Sequence, residues 1–164
     1  PPSPFSPFLP MYPIRLRPVR TLLIVSLALL LSTACDKLPR NGALDGQWQL
    51  VRLNHTDVTA QRIYWAVQLD LIQLRSPIVA PSTSVAYSGG VTLRFTHRTD
   101  SLWIETGFLM DRDRGRDLHI GPHHPADLSA FGVDTLPAYF AVRHLSNERL
   151  VLERGHRALE FRKW

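Results

Sequence analysis

Residues 91–106 read VTLRFTHRTDSLWIET, and this stretch decides the fold class. Its first half alternates apolar with polar residues, which is the period-two pattern of a strand that buries one face. A polar turn, Arg98-Thr99-Asp100, follows, and the alternation then resumes. The stretch therefore predicts a β-hairpin whose strands are 91–97 and 101–106.

Short runs with the same period recur on both sides of this hairpin, separated by turn residues. The irregular region at 107–137 interrupts the series, and within it we expect a short strand at 118–120 and a helical turn at 126–131 that ends at Gly132. A weak strand segment lies at 84–87. The remaining predicted strands are 46–53, 64–74, 138–145, 149–153 and 158–163.

Seven or eight strands joined in sequence must bury one face without leaving free edges. A closed barrel meets this requirement because every strand then has two neighbours. We therefore expect an all-β fold, a small up-and-down antiparallel barrel of about eight strands that follows an N-terminal signal helix. A two-sheet β-sandwich is the alternative.

The beginning of the chain has the composition of an export signal. Met11 is the expected start, and the proline-rich residues 1–10 are interpreted as translation from an upstream start. Arg15, Arg17 and Arg20 precede a largely apolar run at 21–31. A helix of that length covers about 17 Å, which is too short for a hydrocarbon core of about 30 Å. With the small residues that follow it, the run indicates a secretory signal peptide.

Cys35 directly follows this pattern and is the only cysteine of the chain, so no internal disulfide can form. The residues before it resemble the lipobox of bacterial lipoproteins, in which cleavage leaves a diacylated cysteine as the new N-terminus. The resemblance implies lipidation of Cys35 and a membrane partner held through the lipid anchor. The expected organisation is an upstream segment plus lipoprotein signal peptide at 1–34, a tether at 35–43 and a β domain at 44–164.

Removal of the leader changes the charge of the protein. The whole chain carries a formal charge of +5, whereas residues 35–164 contain 16 basic and 14 acidic residues, a net charge of about +2. The remaining chain has no basic stripe and no platform of aromatic and basic residues. Nucleic acid is therefore excluded as an expected partner.

Two stretches carry a resemblance to a known family. Gly46-Gln47-Trp48 opens the β domain and LEFRKW closes it at 159–164, with LSAFGV at 128–133 between them. These features resemble the lipocalin-like lipoproteins of Bacteroidetes, small exported domains that are mostly of unknown function. In that group an acidic cluster after the lipidated cysteine directs export to the surface. Since Asp36-Lys37-Leu38-Pro39 lacks one, we expect a position that faces the periplasm. Asp36 directly after the cysteine also resembles the inner-membrane retention signal of enteric bacteria, a rule that Bacteroidetes need not follow, and the outer membrane is the expected location.

The resemblance also implies roles for particular residues. In lipocalins the tryptophan of the Gly-x-Trp motif closes one end of the barrel, and a basic residue near the last strand lies across its ring. Gly46 and Trp48 would then form the closing motif, with Arg162, or alternatively Arg157, as the cation over the indole. A small apolar ligand in the barrel is the implied partner.

The apolar face of the predicted strands has two interpretations. It lines a pocket for an apolar ligand, or it fills the interior, since the side chains of eight strands are enough to pack a small barrel. We favour the packed core. The residues of this face are Trp65, Val67, Leu69, Val91, Leu93, Phe95, Leu102, Ile104, Phe140 and Val142.

No constellation of residues predicts an enzyme, a cofactor or a metal. His119, His123 and His124 are weak zinc candidates, because a glycine and a proline interrupt the segment and prevent helical ligand spacing. The charged stretch 111–117 lacks the glycine and glutamate of a calcium loop and is expected to be solvated and self-neutralising. No Gly-x-Ser-x-Gly elbow is present. Two functions remain: a lipid-anchored module for a small apolar ligand, or an envelope accessory or inhibitor protein that acts through its surface on a protein partner.

Overall fold

Twelve β-strands and three short 3-10 helices make up the part of the chain that the computed structural model describes, residues 40–164. No helix in this part is long and apolar enough to cross a membrane. The expected signal peptide, Cys35 and most of the tether lie outside the described residues. The strands are β1 (Gly46–Leu53), β2 (Thr56–Asp57), β3 (Tyr64–Gln68), β4 (Leu71–Arg75), β5 (Ser82–Thr83), β6 (Gly90–Arg98), β7 (Ser101–Asp111), β8 (Arg116–His119), β9 (Ala126–Asp127), β10 (Ala138–Leu145), β11 (Arg149–Arg154) and β12 (Arg157–Lys163), and the helices are η1 (Gly42–Leu44), η2 (Thr59–Gln61) and η3 (Ser129–Phe131).

Eight of these strands form a closed antiparallel barrel. Around the barrel their order is β1, β3, β4, β6, β7, β10, β11 and β12, and the pairing of β12 with β1 closes the ring. Each barrel strand is therefore followed around the ring by the next one in the chain, which is the up-and-down arrangement. The barrel prediction is confirmed, and the β-sandwich alternative is wrong.

The hairpin at 91–106 forms as predicted and extends further at both ends. In the pairing of β6 with β7, Phe95 lies opposite Ile104 and Arg98 lies opposite Ser101. A register shift between Arg94 and Phe95 marks a bulge. Bulges increase the local twist of a strand, as the curvature of a small barrel requires.

The prediction of one strand across 64–74 is wrong, because the chain reverses at Leu69. This residue has φ of +58°, a left-handed conformation in which leucine is uncommon. The reversal creates the hairpin of β3 and β4, in which Val67 lies opposite Ile72. It also moves Leu69 off the predicted apolar face, and its side chain is 53% exposed.

The irregular region contains more pairing than expected. The predicted short strand at 118–120 appears as β8, which extends the hairpin begun by β7. The helical turn appears as η3, and Gly132 ends it with φ of +89°. The weak segment predicted at 84–87 is replaced by β5, which pairs with β9.

Side chains of the barrel strands fill its interior. Trp65 lies among aromatic neighbours, with its ring centroid 4.9 Å from that of Phe161 and 6.4 Å from that of Phe140. All three rings are at most 1% exposed. The largest fully buried side chains are Trp48, Trp65, Phe131, Phe140, Phe161, Leu44, Leu50, Ile63, Ile72, Leu93, Leu102 and Ile104.

Candidate functional site

The two ends of the barrel differ in how the strands are connected. At the end where β1 begins, which we term the closed end, short turns at 69–70, 99–100 and 146–148 join neighbouring strands. At the opposite end, which we term the mouth, the long connections 54–63, 76–89 and 112–137 leave the barrel, and one short turn, 155–156, joins β11 to β12. Long connections on a rigid barrel are where binding residues are most often found.

Trp48 covers the closed end from inside. It is fully buried, and its indole N–H donates to the carbonyl oxygen of Leu44 in η1 at 2.7 Å. The ammonium of Lys163 lies 4.4 Å from the centre of the Trp48 ring and donates to the carbonyl oxygens of Ala43 at 2.7 Å and Asp45 at 2.5 Å. These contacts join the first and last barrel strands to η1.

The expectation that Arg162 covers Trp48 is wrong, and so is the alternative with Arg157. Successive residues of a strand point to opposite faces, so Phe161 and Lys163 point inward while Arg162 points outward. On the outer wall Arg162 donates to Oε1 of Gln49 at 2.9 Å. The guanidinium of Arg157 donates to the carbonyl oxygen of Ser129 at the mouth.

Gly46, the glycine of the closing motif, has a steric reason to be there. Its φ is +120°, and a Cβ at this position would lie 3.0 Å from Cε of Lys163. Glycine therefore allows the lysine side chain to pass the start of β1 on its way to Trp48. Burial lowers the pKa of Lys163, and the nearby carboxylate of Asp45 acts in the opposite direction.

Replacement of Lys163 with methionine is expected to reduce the free energy of unfolding by about 1–2 kcal/mol, because the cation–π contact and two hydrogen bonds are lost. Arg98→Met is the matched control, since it removes an exposed cation at the end of β6 and should change stability by less than about 0.5 kcal/mol. Urea denaturation followed by circular dichroism measures both. Equal losses would show that Lys163 has no special role at the closed end.

A short segment covers the mouth. Residues 128–133, which we term the cap, place Leu128, Phe131 and Val133 in the core at 2% exposure or less. The indole N–H of Trp65, inside the barrel, donates to the carbonyl oxygen of Phe131 at 3.1 Å. Both the hydrogen bond from Trp65 and the burial of these three side chains therefore hold the cap against the packed interior.

Beside the cap lies an open cleft of about 400 Å³, which we term the mouth cleft. Its apolar wall combines the cap residue Phe131 with the inner residues Leu74 and Val91 and with the 76–89 connection. Burial raises the pKa of the Tyr87 phenol. The lining residues are Gln73, Leu74, Arg75, Ser76, Pro77, Val79, Ala80, Pro81, Tyr87, Gly89, Gly90, Val91 and Phe131.

A second and smaller cleft, of about 190 Å³, also borders the cap. Leu128 and Val133 of the cap form part of its wall, together with Ile120 and Leu136. Both apolar clefts therefore depend on the position of one six-residue segment.

The ten residues of the predicted apolar face do not share one pocket. Eight of them are buried at 4% exposure or less and belong to the core cluster: Trp65, Val67, Val91, Leu93, Phe95, Leu102, Ile104 and Phe140. Leu69 is exposed on a turn, and Val142 is partly buried at the edge of the core. Of the ten, Val91 alone lines the mouth cleft. They pack the interior, and the clefts at the mouth are formed largely by other residues.

The three histidines do not converge. His119 shares a hydrogen bond with the hydroxyl of Thr106, and its ring lies 5.5 Å from that of Phe108 in an edge contact. His123 and His124 follow in the turn after Gly121, whose backbone exchanges two hydrogen bonds with that of His124. Across residues 40–164, no three His, Cys, Asp or Glu side chains are arranged to hold a metal ion.

The charged stretch 111–117 is a hairpin tip with a buried carboxylate. Asp111 is 3% exposed, so the expectation of a fully solvated loop is wrong for this residue. Its carboxylate pairs with Arg114 at 3.0 Å and with Arg116 at 3.8 Å. The stretch neutralises itself, as expected, and in doing so stabilises the turn between β7 and β8.

A match to a protein family agrees with this architecture. A family model described as a lipocalin-like domain matches residues 29–164. A search of curated proteins finds no match. Among solved structures, the chain is similar to a lipocalin-like protein from Bacteroides uniformis, with 18% identity, coverage of 75% of this chain and 100% of that chain, and a TM-score of 0.45. It is also similar to an uncharacterised protein from Bacteroides eggerthii, with 16% identity, coverage of 73% and 98%, and a TM-score of 0.44.

Proposed function

The chain belongs to the lipocalin-like domain family, and we propose that it is a lipid-anchored protein of the cell envelope that binds a small apolar ligand in the mouth cleft. The role is binding rather than catalysis. The observation that carries the proposal is the apolar lining of the cleft, in which the partly buried Val79 and Tyr87 pack against a barrel core that is already full.

The size and chemistry of the mouth cleft support a small ligand. Its volume of about 400 Å³ falls in the range of small-molecule sites, roughly 300–1,000 Å³. Val79 and Tyr87 add apolar surface, while Gln73 and Arg75 place polar groups on the rim. A few polar groups around an apolar wall are typical of sites that orient a ligand. A ligand held here would lie beside the cap and not in the centre of the barrel.

Titration with N-phenyl-1-naphthylamine, an apolar dye whose fluorescence rises on binding, tests this site. We expect saturable binding that Ala80→Phe weakens by about tenfold, because the new ring occupies the cleft and each 1.4 kcal/mol lost is a factor of ten. Tyr139→Ala, which removes an exposed ring from the outer wall, is the control and should leave the affinity unchanged. Binding that is absent, or equally weakened by both variants, would contradict the site.

The sequence before the described domain supports anchoring of the protein to the membrane by a lipid on Cys35. The basic leader, the short apolar run at 21–31 and the position of Cys35 fit a lipoprotein signal. The absence of an acidic cluster in Asp36-Lys37-Leu38-Pro39 supports an outer-membrane location that faces the periplasm. The lipid would then hold the binding domain at the membrane surface.

Cys35→Ser is expected to move the protein from the membrane fraction to the soluble fraction of cells that process lipoproteins. Ser32→Thr, a conservative change within the same signal, is the control and should leave the protein in the membrane fraction. Fractionation followed by immunoblotting measures the distribution. Retention of the Cys35→Ser variant in membranes would exclude acylation as the means of anchoring.

An envelope accessory or inhibitor protein is a second candidate function, and one surface feature favours it. Trp103 and Tyr139 are 43% and 50% exposed and form a tilted aromatic pair, 6.1 Å apart, on the outer wall. Aromatic side chains of this kind are enriched at protein interfaces.

Crosslinking in membranes should then join this protein to its partner and give protein adducts. We expect Trp103→Ser to remove these adducts and deletion of residues 112–115 to leave them in place. Adducts unaffected by Trp103→Ser would argue against this surface.

A further inference from the structure

We propose that the closed end of the barrel docks on the lipid bilayer through Leu69, Trp164 and two neighbouring arginines, so that the mouth cleft faces away from the membrane. The proposal rests on the lipid anchor proposed above. It adds a second membrane contact, made by the folded domain itself, and an orientation for the binding site.

The point at which the chain joins the barrel determines which end of the domain a lipid anchor would hold near the membrane. Arg40 and Asn41 are the first described residues, and the side-chain amide of Asn41 donates to the carbonyl oxygen of Leu69 at 2.7 Å. The chain therefore reaches the domain at the closed end, beside the turn between β3 and β4. Only five peptide steps separate Arg40 from Cys35, a span of at most about 18 Å even when fully extended. An acylated Cys35 would hold this end near the bilayer surface.

Leu69, in the turn between β3 and β4, has an unusual backbone conformation and an unusually exposed apolar side chain. It has a positive φ, where glycine, asparagine or aspartate is usual, and its apolar side chain is 53% exposed. Neither feature helps the barrel to fold, because the turn would form more easily with asparagine. Strain that the fold does not need points to a function of the residue involved. An exposed leucine next to the tether is suited to contact with lipid.

Trp164 lies on the other side of the start of β1. Its backbone N–H donates to the carbonyl oxygen of Gln47 at 2.8 Å, and its indole is 68% exposed. The ring makes one edge contact with Tyr64, 5.4 Å away, on the outer wall. Tryptophan is enriched at membrane–water interfaces, where its amphipathic ring lies at the level of the headgroups.

Two cations accompany these apolar side chains. Arg40 is exposed within the tether, and Arg162 is exposed on the outer wall two residues before Trp164. Basic side chains close to a bilayer are attracted by anionic headgroups. The other turns of the closed end, at 99–100 and 146–148, are polar, so the apolar surface is restricted to the side on which the tether arrives.

The orientation can be measured with fluorescent labels on the lipidated protein. Because the thiol of Cys35 is acylated, a cysteine introduced elsewhere is the only site for a thiol-reactive nitrobenzoxadiazole dye. Asp70→Cys places the dye next to Leu69, and Ile78→Cys places it on an exposed residue at the mouth. The protein is reconstituted into vesicles of phosphatidylethanolamine and phosphatidylglycerol that contain a lipid with a nitroxide headgroup, which quenches dyes nearby.

We expect at least about threefold stronger quenching at position 70 than at position 78, because interfacial groups lie within about 5–10 Å of the headgroups while the mouth is a further 20 Å or so away. Adding Leu69→Ser and Trp164→Ser to the Asp70→Cys protein should at least halve the quenching. Equal quenching at positions 70 and 78, or quenching at 70 that survives both serine substitutions, would overturn the docking surface while leaving the anchor intact. Failure of the protein to float with the vesicles would overturn the anchor, and the docking surface with it.

Discussion

Replacement of Trp65 with alanine is expected to reduce the free energy of unfolding by about 3–5 kcal/mol, the usual cost of deleting a large buried aromatic side chain. Trp65 is 1% exposed and contacts the rings of Phe140 and Phe161 in the barrel interior. It also donates to the carbonyl oxygen of Phe131, so the variant loses the hydrogen bond that ties the cap to the core. Urea denaturation followed by circular dichroism measures the loss.

Trp103→Ala is the matched control for this substitution. Trp103 is 43% exposed, and the aromatic contact that its ring makes is with the exposed Tyr139 on the outer wall. Its removal should cost no more than about 1 kcal/mol, because exposed residues away from special features contribute little to stability. If the two variants lost equal stability, the interior around Trp65 would not be the packed core described above.

Gly132→Ala is expected to cost about 2–5 kcal/mol, the sum of a left-handed backbone that alanine disfavours and an overlap with the core. Gly132 has φ of +89°, and a Cβ there would lie 2.4 Å from Cδ2 of Leu159. Since Leu159 is fully buried, it has little room to move. The cap would be pushed away from the barrel, and binding of N-phenyl-1-naphthylamine beside Phe131 should weaken as well.

Gly155→Ala is the control that separates the cost of the left-handed backbone from the cost of steric overlap with the core. Gly155 also has a positive φ, of +56°, but a Cβ at this position would meet no other atom within 4 Å. Its replacement should therefore cost only the backbone contribution, about 1–2 kcal/mol, and leave dye binding unchanged. Equal losses of stability in the two variants would mean that the cap is not tightly seated on Leu159.

The strands and their connections could be predicted from the sequence where turn residues mark the reversals. The hairpin at 91–106 and the three strands from Ala138 to Lys163 form with nearly the expected boundaries. The exception is the reversal at Leu69, where an apolar residue continues the alternating pattern through a turn. No local signal distinguishes that turn from a strand, because pairing between Val67 and Ile72 determines it.

The closing motif could be predicted in part. Trp48 is buried at the closed end, as the resemblance implies, but the cation over its ring is Lys163. Strict alternation from Phe161 would have favoured Lys163 over Arg162, since only every second residue of a strand points inward. The alternation in the sequence therefore identifies Lys163 as the inward-pointing cation, whereas the expectation of Arg162 rested on the family resemblance.

The mouth cleft could not be predicted, because its walls come from distant parts of the chain. Phe131 in the cap, Val91 in β6 and Tyr87 in the 76–89 connection meet only after the barrel has closed. The sequence SPIVAP at 76–81 contains two prolines, which indicate a loop. The prolines do not show which other parts of the chain the loop will contact. The alternation of apolar residues predicts the core, whereas a cleft built from connections at the end of the barrel has no periodic pattern in the sequence.

The barrel is filled by its own side chains, and we propose that a ligand binds at the mouth. Nuclear magnetic resonance of the isotope-labelled protein with N-phenyl-1-naphthylamine can locate the bound dye. The account predicts intermolecular contacts between the dye and Val79, Tyr87 and Val91, with none to the interior residues Leu50 and Leu152. Contacts from the dye to Leu50 and Leu152, with displacement of Trp65, would contradict it and show a barrel that opens to hold its ligand inside.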